Sequence, residues 1–329
     1  MVERRALSAP VENAKFVSSG SFLFDKVLGG GWGRGRVCNL VGDKSSGKTL
    51  LAIEACANVA LAGGLSRSRY GEAESAFDED YAASIGMPAG LERPPSALET
   101  VEDFQEDLQA YLAERMKDKG APGIYVLDSL DALSDRDEMV RELDKGSYGA
   151  AKAKNMSKLF RMCTSEISEA DVMLMVISQI RDKLNVTFGE TKTRSGGRAL
   201  DFYASQIVWL AEVGKIKRTV KTVERVIGAK VLAKNKKNKL GMPFREAELT
   251  VIFNYGVDDQ ISMLNWMTKN SVGTPEKRKA LTGDLMGARS ARDKAAMRQI
   301  DTTLRGLVGT RWDEIEEALK PVMSKYGDR

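Results

Sequence analysis

The sequence predicts an α/β fold, a mainly parallel, twisted sheet with helices on both faces, followed by a small helical C-terminal domain. Gly42-Asp43-Lys44-Ser45-Ser46-Gly47-Lys48-Thr49 has the G-x-x-x-x-G-K-[ST] spacing of a phosphate-binding loop. It lies between a short apolar run at 36–41 and an Ala- and Leu-rich stretch at 50–62, which is the strand-loop-helix context that such a loop requires. Two further apolar runs, 123–128 and 172–181, are continuous rather than alternating, as in parallel strands buried on both faces. From about Met263 onward, Ala, Leu and Met recur among basic residues, which suits short helices.

The chain has 329 residues, 43% hydrophobic and 29% charged, enough for one large core and a smaller domain. A net charge of +4 means that any nucleic-acid surface must come from local clustering. There is no histidine, so an imidazole base, a histidine metal ligand and a Ser-His-Asp triad are excluded. Cys38, Cys56 and Cys163 lie far apart within apolar runs and read as core thiols of a reducing compartment. No signal-peptide core or membrane-length run is visible, so a soluble, cytoplasmic protein without a membrane partner is expected.

Taken in order, residues 1–15 read as a short arm, and 16–31 as a turn, a short helix and a glycine turn. In the phosphate loop, Gly42 and Gly47 permit backbone turns that a side chain would block. The turned N–H groups of Asp43, Lys44, Ser45 and Ser46 form a nest for phosphate oxygens. Lys48 can reach the β- and γ-phosphates, the Thr49 hydroxyl can ligate Mg²⁺, and the helix carrying Leu50 adds its positive end. At 66–81 a strand is expected but weak, because Ser and Arg interrupt it; the acids that follow are, by themselves, an ordinary helix start. Residues 97–118 have helical spacing at Val101, Phe104, Leu108, Leu112 and Met116.

The 123–128 run ends in Asp128, at the strand end where ligands sit in open α/β sheets, so Asp128 is a candidate for holding Mg²⁺. Residues 139–156 combine glycines, Tyr148, Lys152 and Lys154, and a helix carrying Arg161 follows. The strand at 172–181 carries Gln179 near its end and opens into a basic, Gly-rich stretch with one aromatic, Phe188. Residues 200–213 read as strand, 215–221 as a basic connection, and 229–253 as a hairpin with strands at 230–233 and 247–253 and a lysine-rich tip at 234–239. By itself such a tip is an edge guarded against aggregation. Residues 269–311 hold ten Lys/Arg against four acids, which by themselves suit a solvated helical cap.

Several of these stretches share one likeness. Ser18-Ser19-Gly20-Ser21, Asp25, Leu28-Gly29-Gly30-Gly31 and the phosphate loop resemble the RecA/RadA class of DNA recombinases, the bacterial and phage branch above all. Ala73-Glu74-x-Ala76-x-Asp78-x-x-Tyr81 and Gln179-Ile180-Arg181-x-Lys183 through Gly196-Gly197 to Phe202-Tyr203-Ala204-Ser205 extend the resemblance over about 16–256. It implies a RecA-like P-loop NTPase core at 16–262, with ATP and Mg²⁺ as cofactors, and a basic helical domain at 263–329 that helps capture duplex DNA. On the matched positions Glu74 is the general base, with Glu72 a rival, while Lys48 and Gln179 contact the γ-phosphate. Asp78 and Tyr81 would hold adenine, Phe253 would close over it, and Lys234 and Lys236 would reach a neighbour's ATP. Counted back from Pro243-Phe244, Lys237 and Lys239 fit that last role instead. Tyr148, Lys152, Lys154 and Arg161 match the first DNA-contacting region; Arg181, Lys183, Phe188, Gly196, Gly197 and Arg198 match the second. The implied function is ATP-dependent pairing and strand exchange by a helical homo-oligomer on single-stranded DNA, with ATP between subunits. The short arm departs from bacterial members and suits a divergent, phage-type one. A hexameric helicase motor and a regulatory ATP-binding assembly protein are the alternatives.

Overall fold

The computed structural model describes residues 15–74, 77–118, 120–136, 148–182, 192–194 and 197–322, and the chain divides into two compact units at the Asp258/Asp259 junction. In the first unit, β1 (Phe16–Val17) pairs with β2 (Trp32–Gly33) around α1 (Phe22–Leu28). Ser21 caps the start of α1 by accepting from Phe24 N, and Gly29, left-handed at φ 82°, closes its end. There follow β3 (Val37–Gly42), α2 (Lys48–Gly63), β4 (Ser68–Glu72), α3 (Glu79–Ile85), α4 (Val101–Lys117) and β5 (Gly123–Asp128). Next come α5 (Tyr148–Glu169), β6 (Val172–Asp182), β7 (Lys192–Arg194) and α6 (Gly197–Tyr203). Then β8 (Gln206–Val220), β9 (Val223–Asn238), β10 (Glu246–Ile252) and β11 (Gly256–Val257) complete the unit.

The sheet runs β11-β10-β9-β8-β3-β6-β5-β4, with β7 against β6. Strands β8, β3, β6, β5 and β4 are parallel, and β8 to β11 form an antiparallel wing. Every residue of β3 and β5 is buried, which is why both read as largely apolar runs; the one amide in β3, Asn39, donates to Val176 O and Ser178 Oγ of β6. Tyr125 and Leu127 share one core with Phe104, Leu108 and Leu112 of α4 and Met156, Leu159 and Phe160 of α5. Helix α2 packs on β4, β5 and β6 as well, and its Cys56 is a buried thiol; burial pushes the Cys38 thiol of β3 up to about 12.

Strand β4 is polar yet buried, because each polar side chain has a partner. Ser68 Oγ donates to Cys56 O at 2.9 Å. Arg69 reaches Asp107 at 3.2 Å, Glu114 at 3.2 Å and Glu92 at 3.4 Å, and Tyr125 donates to the other Asp107 oxygen at 2.7 Å. Arg69→Ala would strand the buried Asp107 carboxylate. A loss of about 3 kcal/mol is expected, at the low end for a broken buried pair because Glu92 and Glu114 keep access to water; urea unfolding checks it.

Three sequence expectations are corrected. Residues 200–203 are helical, not strand: Leu200 is buried and Tyr203 stacks on Phe160 at 5.9 Å, so the apolar run packs with helical spacing before β8 begins at Gln206. Residues 215–221 are no connection, because β8 continues to Val220, opposite Val223, and turns at Lys221 (φ 47°) and Thr222 (φ 68°). Two successive left-handed residues match the right-handed twist of a tight hairpin. Residues 234–238 are not a tip but part of β9, paired with β8; the extra residue is absorbed at Lys236, where Ile207 faces Lys237 and Val208 faces Asn235.

In the second unit, α7 (Asp259–Lys269), α8 (Pro275–Ser290) and α9 (Lys294–Ala318) enclose Leu285, Leu304 and Val308. Thr274 and Asp293 cap α8 and α9, and Trp266 stacks on Trp312 at 5.6 Å. Among the described residues no helix is long and apolar enough to cross a membrane.

Candidate active site

The parallel strands deliver their carboxyl ends to one rim. Gly42 of β3 lies opposite Gln179 of β6, and Glu72 of β4 lies opposite Asp128 of β5. The loop from Gly42 to Lys48 crosses this rim. Ser45 (φ 60°) and Gly47 (φ 87°) are left-handed, and a Cβ on Gly42 would collide with Ser46 Oγ and the Leu210 carbonyl. Ser46 Oγ donates to Asp43 O at 2.8 Å and closes the loop on itself, while Asp43, Lys44 and Ser45 stay exposed. No side chain caps α2 and no acid lies in its first turn, so its positive end faces the loop unopposed. Leu50 is buried and anchors that turn in the core.

Lys48 Nζ donates to Asp43 O at 2.7 Å. Burial pushes its ammonium below the usual lysine range, against the pull of Asp128, Glu74, Asp131 and Asp43. Thr49 Oγ1 donates to Asp128 Oδ2 at 2.8 Å, and Tyr70 OH donates to the same oxygen at 2.6 Å. Burial pushes Asp128 above the usual carboxylate range, and these two hydrogen bonds oppose the rise. The Tyr70 phenol is raised well above its ordinary value by burial and by Asp128, so it remains a donor. A hydroxyl beside a carboxylate is an all-oxygen donor set, suited to a hard cation such as Mg²⁺ that keeps several waters. The loop, turned left-handed at Ser45 and Gly47 and closely approached at Gly42, suits phosphate oxygens. The residues therefore fit both a nucleotide and its cation.

Glu74 Oε1 accepts from Ser129 Oγ at 2.5 Å and from Gln179 Nε2 at 3.1 Å. Gln179 N donates to Asp131 Oδ2 at 2.7 Å. Glu72 differs: its Oε1 accepts from Glu74 N at 2.8 Å and shapes the turn that presents Glu74. Asp78 caps α3 by accepting from Tyr81 N at 2.9 Å. Burial and Glu54 push the Tyr81 phenol upward. Glu54 of α2 accepts from Val257 N at 2.9 Å, which ties the turn after β10, with its half-exposed Phe253, to the same helix.

Lys234 forms an ion pair with Glu246 at 2.8 Å across β9 and β10, and the Lys236 ammonium lies 4.8 Å from the Trp209 ring centre. Lys237 and Lys239 converge instead on the Phe202 carbonyl, at 3.3 and 3.0 Å, beside the exposed Phe202 ring. Lys152 Nζ donates to the carbonyls of Leu130 and Leu133 and so shapes the loop after β5. Lys154 and Arg161 are exposed on α5. Tyr148 opens α5, Arg181 lies in β6 opposite Thr193, and Gly197 and Arg198 open α6. The side chains of Tyr148, Arg181 and Arg198, and all of Lys183, Phe188 and Gly196, lie outside the described residues. Tyr70 and Ser129 touch the site although no motif marks them; their one sequence signal is a place near a strand end, two residues before Glu72 and next to Asp128 respectively.

The family model described as the RecA N-terminal domain matches residues 6–258. The chain belongs to the RecA family. The protein RecA of Borreliella afzelii (strain PKo) is 34% identical over 262 residues, covering 78% of this chain and 68% of that one. The protein RecA of Treponema denticola is 33% identical over 269 residues, covering 80% of this chain and 61% of that one. That of Borrelia duttonii (strain Ly) is 35% identical over 254 residues. With this family match the chain is a divergent RecA-type recombinase and a DNA-dependent ATPase, and the hexameric-motor and assembly-only alternatives are not favoured.

Proposed function

We propose that this RecA-family core binds ATP with Mg²⁺ at the β3–α2 loop, assembles as a filament on single-stranded DNA, and pairs that strand with homologous duplex. The observation that carries the proposal is the 3.1 Å hydrogen bond from Gln179 Nε2 to Glu74 Oε1. It joins the candidate base to the strand that runs into the second DNA segment.

The backbone N–H groups of residues 43–47 cradle the phosphates and Lys48 grips the β- and γ-phosphate oxygens. Thr49 and Asp128 hold Mg²⁺, which when bound neutralises phosphate charge. Glu74 orients the attacking water and accepts its proton, with Ser129 fixing the carboxylate. Gln179 divides its amide between Glu74 and the γ-phosphate, so nucleotide state reaches residues 181–198 through β6. Asp78, Tyr81 and Phe253 enclose adenine. Across the filament interface, one of two lysine pairs reaches a neighbour's phosphates: Lys234 and Lys236, of which Lys234 must leave Glu246, or Lys237 and Lys239, which must leave the Phe202 carbonyl. Lys154, Arg161, Arg181, Lys183 and Arg198 follow the DNA backbone, while Tyr148 and Phe188 stack on bases. The helices from 259 onward, with their basic excess, capture duplex, and the buried thiols suit a cytoplasmic setting.

ATP turnover measured with and without single-stranded oligonucleotide, with negative-stain imaging of the same samples, tests this reading. Stimulation together with filaments is expected; indifference to DNA refutes it. Phe188→Ala is expected to weaken oligonucleotide binding by about tenfold, the lower range for one lost base stack, with ATP affinity retained. Fluorescence anisotropy reads both.

A further inference from the structure

The Asp128 carboxylate is held by more than the phosphate-loop helix. Thr49 Oγ1 and Tyr70 OH both donate to Oδ2, at 2.8 and 2.6 Å. The two donors differ in rigidity. Thr49 is exposed at the junction of loop and helix, whereas Tyr70 has no exposure and its ring packs on Phe77 with centroids 4.8 Å apart. Tyr70 stands on β4 two residues before Glu72, the residue paired with Asp128 in the β4–β5 ladder. Its hydroxyl position is therefore set by the sheet itself.

We propose that Tyr70 is a positioning residue for the cation site, its buried hydroxyl fixing the Asp128 carboxylate so that Asp128 and the Thr49 oxygen face one Mg²⁺. The inference rests on the nucleotide reading above. A carboxylate turns easily about its last torsion, a broad and roughly two-fold one. With Thr49 as its sole hydroxyl donor, Asp128 would be oriented by a group that must itself turn its lone pair toward the cation. Tyr70 removes that dependence, because it donates from the opposite element and takes no part in ligation. Partners of this kind, behind the ligands, commonly contribute 10–100-fold in metal affinity.

Tyr70→Phe deletes one oxygen and leaves the ring that fills the core. Binding of a fluorescent ATP analogue to the full chain is titrated in EDTA and then at rising Mg²⁺. The expected result is metal-free affinity within about twofold of the unsubstituted chain and about a tenfold rise in the Mg²⁺ concentration for half-saturation. A coincident Mg²⁺ curve, or an equal loss of affinity with and without Mg²⁺, overturns the proposal. Failure of the nucleotide reading is distinct: the unsubstituted chain would then bind no analogue under either condition.

Discussion

Lys48→Ala is expected to lower DNA-stimulated ATP turnover by about 10²–10³-fold, the range for loss of one preorganised donor to a charge that grows in the transition state. The effect is large because the half-buried ammonium closes on the loop at the Asp43 carbonyl, set against the fields of Asp128, Glu74, Asp131 and Asp43. A triphosphate entering without it meets those carboxylates with its charge unscreened. The substitution falls in the first turn of α2, where alanine is a good helix former, so the melting temperature should hardly move. Phosphate release at saturating ATP and DNA measures the outcome, and an unchanged rate removes the site assignment.

Glu74→Gln should lower turnover by about 10²–10⁴-fold with ATP affinity intact. The amide oxygen of glutamine still accepts from Ser129 Oγ and Gln179 Nε2, so the geometry survives while the capacity to take a proton is lost. Filaments should form and then persist, because the state that follows hydrolysis is not reached. Glu72→Gln is the matched control. Its side chain holds Glu74 N, a bond that an amide oxygen also accepts, so its turnover should stay near that of the unsubstituted chain. The reverse pattern would make Glu72 the base.

Much of the rim was legible because its chemistry is local. The phosphate loop, its buried strand and the helix from Lys48 lie within consecutive residues, and β5 and β6 announce themselves by being apolar on both faces. Strand β4 was hard to read because its supports are distant in sequence: Ser68 relies on Cys56, Arg69 on Asp107, and Tyr70 on Asp128. No window around residues 66–72 contains those partners, so polarity there argued against burial. The Lys221-Thr222 turn was missed for a different reason, since it adopts two left-handed conformations without glycine, asparagine or aspartate. Residues 200–203 form a run too short for apolar content to separate strand from helix. Residues matched only by resemblance divide in the same way. Glu74 and Gln179 lie in contact, whereas the bulge at Lys236, which no local pattern marks, falls inside the lysine run that carries both registers.

The far end of the β8–β9 ribbon, residues 217–226, is open to solvent along both strands and is joined chiefly by its own ladder. Its stem is anchored elsewhere: Gln206 donates to the carbonyls of Leu28 and Gly31, and Asn235 donates to that of Val27. The ribbon thus behaves as a handle on a riveted plate. A fluorophore grafted at its tip would ride with the ATPase core and report its motion, while the hydrophobic packing that keeps the enzyme folded would go undisturbed.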